Sequence, residues 1–253
     1  MQLSSEEKER YSRQILIDKI GEKGQEKLKH SSALIIGAGG LGNPVSMYLV
    51  ASGLGKIGLI DADVVSVSNL GRQILYTTKD VGKKKVFLVQ ERLNKLNPNV
   101  DFDIYEERLS NLNASEIFLK YDVVVDATDN FETRYLINRT TIKTGKPLFI
   151  GAVGRFTGQV MSILPGKTAC YNCIFPEKSP EIIHSMTDNN RSMGILGSLA
   201  GTIGSIVSTE VIKFFVGTGS KYFNKLLIYD ALDNNFSILS IERDPRCKIC
   251  GDE

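Results

Sequence analysis

Long apolar runs are scarce in this sequence. The uncharged apolar stretch 194–209 is roughly sixteen residues, short of the roughly twenty that cross a bilayer, so no membrane span is expected. A basic start followed by an apolar core is also missing. Met1-Gln2-Leu3-Ser4-Ser5-Glu6-Glu7 is polar and acidic, which argues against a signal peptide and makes the cytoplasm the expected compartment. Charge of one sign is not in excess. A net charge of +2 over 253 residues, with Lys83-Lys84-Lys85 as the only dense basic run, predicts no nucleic-acid-binding surface. Histidine is limited to His30 and His184, and neither is assigned a role. All four cysteines fall into two Cys-x-x-Cys pairs, which in a reducing compartment favours a metal over disulfides.

What is present is an ordinary globular balance, 42% hydrophobic and 24% charged, with enough apolar material for a sizeable core. The pattern over 6–29 is helical and charged, with Tyr11, Ile15, Leu16 and Ile20 as the expected buried stripe. Short apolar runs at 33–36 and 57–60, and further runs at 100–105 and 122–126, read as strands. Helices are expected over 43–52 and 83–96, the second closed by Asn97-Pro98. This alternation predicts an α/β fold of the Rossmann-like, doubly wound kind, with a mostly parallel sheet. After about residue 147 the pattern changes. Strands at 149–153, 158–164, 226–229 and 236–241 are expected to extend the sheet antiparallel. A buried helix is expected over 194–216, where Gly197, Gly201, Gly204 and Ser208 would admit a close neighbour. The polar segment 176–193 is expected to be a mobile crossover loop. The whole chain, 1–253, reads as one domain, with a nucleotide-binding half at 1–146 and the antiparallel strands, crossover loop and metal site at 147–253.

Gly37-Ala38-Gly39-Gly40-Leu41-Gly42 follows the first strand and opens a helix. Such a loop turns tightly, lets a ligand approach the backbone and aims a helix N-terminus at phosphate. Asp61 ends the next strand, at the distance expected of a ribose ligand. Alone, this fingerprint reads as NAD. A triphosphate carries about four charges and needs cationic side chains and usually Mg²⁺. Ser68-Asn69-Leu70-Gly71-Arg72-Gln73 places Arg72 just beyond the second strand. Lys85 opens the next helix, and Asp129 follows the strand at 122–126. Together they favour ATP and a metal.

These residues carry a resemblance. With Arg10-Tyr11-Ser12-Arg13-Gln14, Asp61-Ala62-Asp63, Ala127-Thr128-Asp129-Asn130 and both cysteine pairs, the chain resembles the ThiF/MoeB/HesA family of adenylyltransferases, relatives of ubiquitin-activating enzymes. The resemblance implies an enzyme that uses ATP to adenylate the C-terminal glycine of a ubiquitin-like sulfur-carrier protein, for thiamine or molybdopterin synthesis. The implied nucleotide site comprises Gly37, Gly39, Gly40, Gly42, Asp61, Asp63, Ser68, Asn69, Leu70, Gly71, Arg72, Gln73, Lys85, Asp129 and Asn130. Asn69, Arg72 and Lys85 would hold phosphates, and Asp129 would hold Mg²⁺. Arg13 would act in trans across a homodimer, and the 147–253 half would dock the carrier. Arg13, Arg72, Lys85 and Asp129 are the implied catalytic set. No general base is needed, because a peptide carboxylate is already ionised; the work is alignment and charge neutralisation.

Cys170-Tyr171-Asn172-Cys173 and Cys247-Lys248-Ile249-Cys250 supply four thiolates, the number a closed structural Zn²⁺ site requires. Many relatives carry a further cysteine just before the 194–197 segment, where Asn190 stands here. With all four cysteines on zinc, no thioester can form, and a separate sulfur donor is expected. Gly71, usually a larger polar residue in relatives, and the unusual 176–193 segment bear on which substrate is used. Two other adenylation substrates fit the same chemistry, a ribosomal peptide destined to be an antibiotic or a modified tRNA base, and the weak basic balance speaks against tRNA. An NAD-binding oxidoreductase or a catalytically silent partner chain would fit the loop, but the retained Arg13, Arg72, Lys85 and Asp129 argue against silence.

Overall fold

The computed structural model describes residues 2–192 and 194–251, with 190–192 as backbone only. Strands β1 (Ser32–Ile36), β2 (Lys56–Ile60), β3 (Asp101–Tyr105), β4 (Val123–Asp126), β5 (Leu148–Gly154), β6 (Thr157–Ile163), β7 (Lys225–Asp230) and β8 (Asn235–Ser240) form one sheet. Its order is β3-β2-β1-β4-β5-β6-β7-β8. The first five run parallel, and β5 through β8 are antiparallel. Along β1, Ala33 and Ile35 pack into one core and Leu34 and Ile36 into the other. Both faces are covered, so this strand is a continuous apolar run rather than an alternating one.

The helices are α1 (Ser5–Arg10), α2 (Ser12–Ile15), α3 (Gly21–Lys29), α4 (Gly42–Ala51), α5 (Lys85–Leu96), α6 (Ala114–Leu119), α7 (Phe131–Thr144), α8 (Tyr171–Ile174), α9 (Pro180–Ser192) and α10 (Gly197–Val216). α10 packs on α3, α4, β5 and β6. It is long and apolar enough to span a bilayer, yet half of it is buried in the fold. Its one buried carboxylate, Glu210, accepts from Lys213 Nζ at 2.6 Å, Ser220 Oγ at 2.7 Å and Lys221 N at 2.6 Å. A methyl on Gly204 would lie 2.5 Å from Pro44 Cγ, so this glycine lets α4 cross α10 closely. At Gly201 nothing lies within 4 Å, and close approach is not its reason.

Two expectations are corrected. The N-terminal helix is broken into α1, α2 and α3, so its stripe does not run through. Tyr11 is buried and accepts from Asn97 Nδ2 at 2.8 Å, but Leu16, beyond the end of α2, is 72% exposed. The segment 176–193 is largely helix rather than loop, α9 occupying Pro180–Ser192. Pro180 stands at the first helical position, where its missing N–H costs no bond. Among the described side chains of α9, Ile183 and Thr187, one turn apart, are the buried positions, and Thr187 Oγ1 accepts from Phe131 N at 3.2 Å. A stripe two residues wide shows no clear period in the sequence. Met193 lies outside the described residues.

Candidate active site

Strand order reverses between β1 and β4, and the carboxyl ends of β1, β2 and β4 open onto a cavity of about 1160 Å³. That is where open α/β sheets bind ligands. Gly37, Gly39 and Gly40 line it, and α4 starts at Gly42. Gly37 adopts φ +102°, and a methyl there would meet the Ala127 carbonyl oxygen at 2.8 Å. A methyl on Gly42 would lie 1.9 Å from the Gly37 carbonyl oxygen. These two glycines are required by the turn itself. Gly39 is different, since its nearest neighbour would be Gln73 Nε2 at 3.7 Å. Gly42→Ala is therefore expected to cost about 2–4 kcal/mol of stability, whereas Gly39→Ala keeps the fold and weakens nucleotide binding. Urea melts beside nucleotide titrations separate the two effects.

Asp61, Asp63, Arg72, Gln73, Lys85, Asp129 and Asn130 also line the cavity. Asp61 braces the loop, its Oδ2 accepting from Ala38 N at 2.8 Å and its Oδ1 from Asp63 N at 2.7 Å. Lys85 is 5% exposed, with Nζ 3.2 Å from Asp63 Oδ2. Asn130 caps α7, accepting from Thr133 N at 2.8 Å. Ser68, Asn69, Leu70 and Gly71 do not line the cavity but shape the turn that delivers the next two residues. Asn69 Oδ1 accepts from Ser66 N at 3.1 Å, and Arg72 Nη1 donates to Ser68 O at 2.9 Å. Gln73 is 3% exposed, and its Oε1 is buried without a partner. A buried orphan acceptor beside an open glycine cradle suits a polar ligand such as a nucleotide. Arg13 is exposed on α2 and does not line the cavity.

Asp80 anchors the segment that leads into Lys85. Its Oδ2 accepts from Thr77 N and Thr77 Oγ1, each at 2.7 Å, and pairs with Arg92. Burial opposes its charge, but the Arg92 guanidinium and the Thr77 donors hold its carboxyl far below the usual aspartate range. This stability is complete above about pH 4, the unfolded value, and is lost as pH falls from there toward the folded pKa. Asp80→Asn strands Arg92 and is expected to cost about 3–5 kcal/mol at pH 7. Urea midpoints should show that deficit shrinking in acid.

The sequence reading did not single out Arg108, Arg134, Arg139 or Arg155, all of which line the cavity. Arg134 is buried on α7. Its Nε donates to Asp126 Oδ2 at 2.8 Å, and its Nη2 donates to Thr128 O at 2.9 Å and Gly151 O at 3.1 Å. A signal existed: Arg134, Ile137, Asn138 and Thr141 recur at helical spacing and are all buried. Arg155 lies in the β5–β6 turn at φ +52°, its N–H donating to Gly194 O at 2.8 Å. No local pattern marks it.

Below the cavity, the four cysteines meet with all sulfurs within 4.8 Å of one another. Cys170 Sγ is 3.9 Å from Cys173 Sγ and 3.7 Å from Cys247 Sγ, and Cys173 Sγ is 3.4 Å from Cys250 Sγ. A tetrahedral ion with metal–sulfur bonds of about 2.3 Å needs sulfurs about 3.8 Å apart, so the set fits a four-coordinate metal. Asn138 Nδ2 donates to Cys170 Sγ at 3.7 Å and Asn172 Nδ2 to Cys247 Sγ at 3.4 Å, the support thiolate ligands require. At Cys247 burial opposes the thiolate, yet Asn172 and the N–H groups of Cys250 and Ile249 bring its pKa down to about 6.

Comparison with known proteins agrees with this geometry. The ThiF family matches residues 11–249. A sulfur carrier protein adenylyltransferase of Thermus thermophilus is 45% identical, the match covering 100% of this chain and 94% of that protein. The SAMP-activating enzyme E1 of Haloferax volcanii is 39% identical, covering 100% of this chain and 92% of the relative. A probable adenylyltransferase/sulfurtransferase, MoeZ of Mycobacterium tuberculosis, is 39% identical; this chain spans 62% of its length. Among solved structures, E. coli MccB with ATP superposes with a TM-score of 0.84 at 26% identity, over 96% of this chain and 75% of that one. The chain belongs to the ThiF family of adenylyltransferases.

Proposed function

We propose that the protein uses ATP and Mg²⁺ to adenylate the C-terminal glycine of a ubiquitin-like sulfur-carrier protein, for thiamine or molybdopterin synthesis. The observation that carries this reading is the cavity wall itself, where Arg72 and Lys85 stand with the glycine loop and Asp129 follows β4. The Thermus relative, matched end to end at 45% identity, supports the substrate class. A carrier carboxylate oxygen attacks the α-phosphorus, the bond from that phosphorus to the bridging oxygen breaks, and pyrophosphate leaves. Gly39, Gly40 and Gln73 would hold the nucleotide backbone-close, with Asp61 on the ribose. Arg72 and Lys85 neutralise the phosphates and the charge that develops on pyrophosphate. Asp129 would bind Mg²⁺, which screens repulsion between the two anions.

The cysteine set would hold Zn²⁺ and tie the C-terminal segment to α8, and a reducing cytoplasm suits such thiolates. All four sulfurs lie in that cluster, so none is left for a thioester, and a separate sulfur donor takes the acyl adenylate. The side chain of Asn190 lies outside the described residues. Arg13 would reach the partner's phosphates in a homodimer. Its neighbours Leu16 and Ile17 are 72% and 51% exposed, an apolar surface for a partner to cover.

ATP–pyrophosphate exchange with a thiamine-type carrier, a molybdopterin-type carrier or neither tests the reaction. Exchange that depends on one carrier, and vanishes when its last glycine is removed, is the expected result. Exchange with neither carrier, from protein that binds ATP, would move the substrate toward a peptide or a tRNA base. Mixing inactive Arg13→Ala and Lys85→Ala proteins should restore exchange if Arg13 works in trans; no recovery after subunit mixing would refute that role.

A further inference from the structure

The cavity wall and the cysteine cluster share one side chain. Tyr171 stands between Cys170 and Cys173 on α8, is 6% exposed, and lines the cavity. Its N–H donates to Asn138 Oδ1 at 2.9 Å, while Asn138 Nδ2 donates to Cys170 Sγ at 3.7 Å. One asparagine of α7 therefore holds both the tyrosine and a cysteine of the cluster. The ring meets Tyr135 edge-on at 5.5 Å and Phe175 at 4.9 Å, and the Arg134 guanidinium lies 5.8 Å from its centroid.

Arg134 is where several parts of the site converge. It bonds Asp126 at the end of β4, the carbonyl of Thr128 immediately before Asp129, and the carbonyl of Gly151 in β5. Asp126 Oδ1 in turn accepts from Thr128 N at 2.9 Å and Thr128 Oγ1 at 2.6 Å. A continuous chain of contacts thus runs from the cluster through Tyr171 and Arg134 to the turn that carries Asp129. A cation against an aromatic face in a desolvated setting has directional strength, so the ring constrains the guanidinium as well as covering it.

We propose that Tyr171 is a positioning residue for the adenylation site: held by the metal-loaded cysteine cluster, its ring fixes Arg134, and Arg134 fixes the 126–130 turn that presents Asp129. This deepens the adenylation reading above and rests on it. The cluster then sets active-site geometry as well as tying down the C-terminal segment. Because Tyr171 is not a ligand, replacing it leaves all four sulfurs in place and separates the two tasks.

Arg134 is unsuitable for the test, since its loss strands Asp126 in the core. Full-length Tyr171→Leu and Tyr171→Phe proteins are compared with the parent, and bound zinc is counted in each by elemental analysis. In Tyr171→Leu, zinc stays at one per chain, and the amides of Thr128 and Asp129 exchange hydrogen about tenfold faster. Its kcat in ATP–pyrophosphate exchange falls about 10- to 100-fold, with the KM for carrier nearly unchanged. Tyr171→Phe keeps the ring but loses the hydroxyl that also interacts with Arg134, so with zinc at one per chain it falls between the parent and Tyr171→Leu in amide exchange and kcat. The proposal is overturned if Tyr171→Leu retains zinc with parental amide exchange and kcat. It is equally overturned if zinc and activity are lost in proportion, since the tyrosine would then only stabilise the cluster. A parent that shows no exchange with any carrier would count against the carrier substrate alone, because the amide measurement needs no carrier and still decides the role of Tyr171.

Discussion

Arg72→Ala is expected to lower carrier-dependent ATP–pyrophosphate exchange by about 10²–10³-fold, the usual loss when one preorganised donor to a developing anion is removed. The fold should barely respond. Among the described residues its guanidinium makes one hydrogen bond, from Nη1 to Ser68 O at 2.9 Å, and the side chain is only partly buried. The stability change should therefore stay within about 1 kcal/mol. A methyl on Gly40 would lie 3.3 Å from Arg72 Cγ, so the side chain stands against the glycine loop where phosphates would bind. Arg72→Lys should not restore full activity, because an ammonium is a point charge and lacks the planar fork of a guanidinium. Exchange by Arg72→Ala at the parental rate would show that the triphosphate does not lie against this wall.

The same residues show why some of the molecule was legible in the sequence and some was not. Strand β1, the glycine loop and α4 lie within about twenty residues of chain, and each imposes its own local rule: an apolar run, a turn that tolerates no methyl at Gly37 or Gly42, and a helix start. The cysteine cluster was legible because two Cys-x-x-Cys pairs fix ligand number before any fold is known. Arg155 was not, because its orientation toward the cavity is fixed by a backbone bond to Gly194, a tertiary contact that no local pattern announces. The helical state of α9 does not show in the sequence because burial of Ile183 and Thr187 against α7 decides it and local propensity does not. Leu16 failed for the opposite reason. A period suggests a buried face only while the helix continues, and α2 ends at Ile15. Arg13 is exposed and away from the cavity of its own chain, as charged residues on a helix surface usually are, so no local pattern distinguishes it and its proposed role rests on the resemblance alone.

Removing the proposed zinc should have the largest effect on the fold. The cluster joins Cys170 to Cys247 across 77 positions of chain, and closing so long a loop by a few coordinate bonds constrains the unfolded ensemble strongly. Structural zinc sites in small domains bind with about 10–16 kcal/mol of apparent free energy, of which part would appear here as folding stability if the four thiolates hold zinc as proposed. Even about 4 kcal/mol would move the melting temperature of a chain this size by roughly 8–16 °C. Chelation, or Cys250→Ser, is therefore expected to lower the melting temperature by about 10 °C or more. The loss should be local at first. β8 is the outermost strand with every residue exposed, and the segment after it is held by the cysteines and by Arg243, which donates to the Cys250 carbonyl. Limited proteolysis of chelated protein should cut within 241–251 before it touches the parallel half of the sheet, because that half keeps its own core on both faces. If chelated protein melts at the parental temperature and resists cleavage there, the four thiols pack as reduced side chains, and no metal holds this end of the fold.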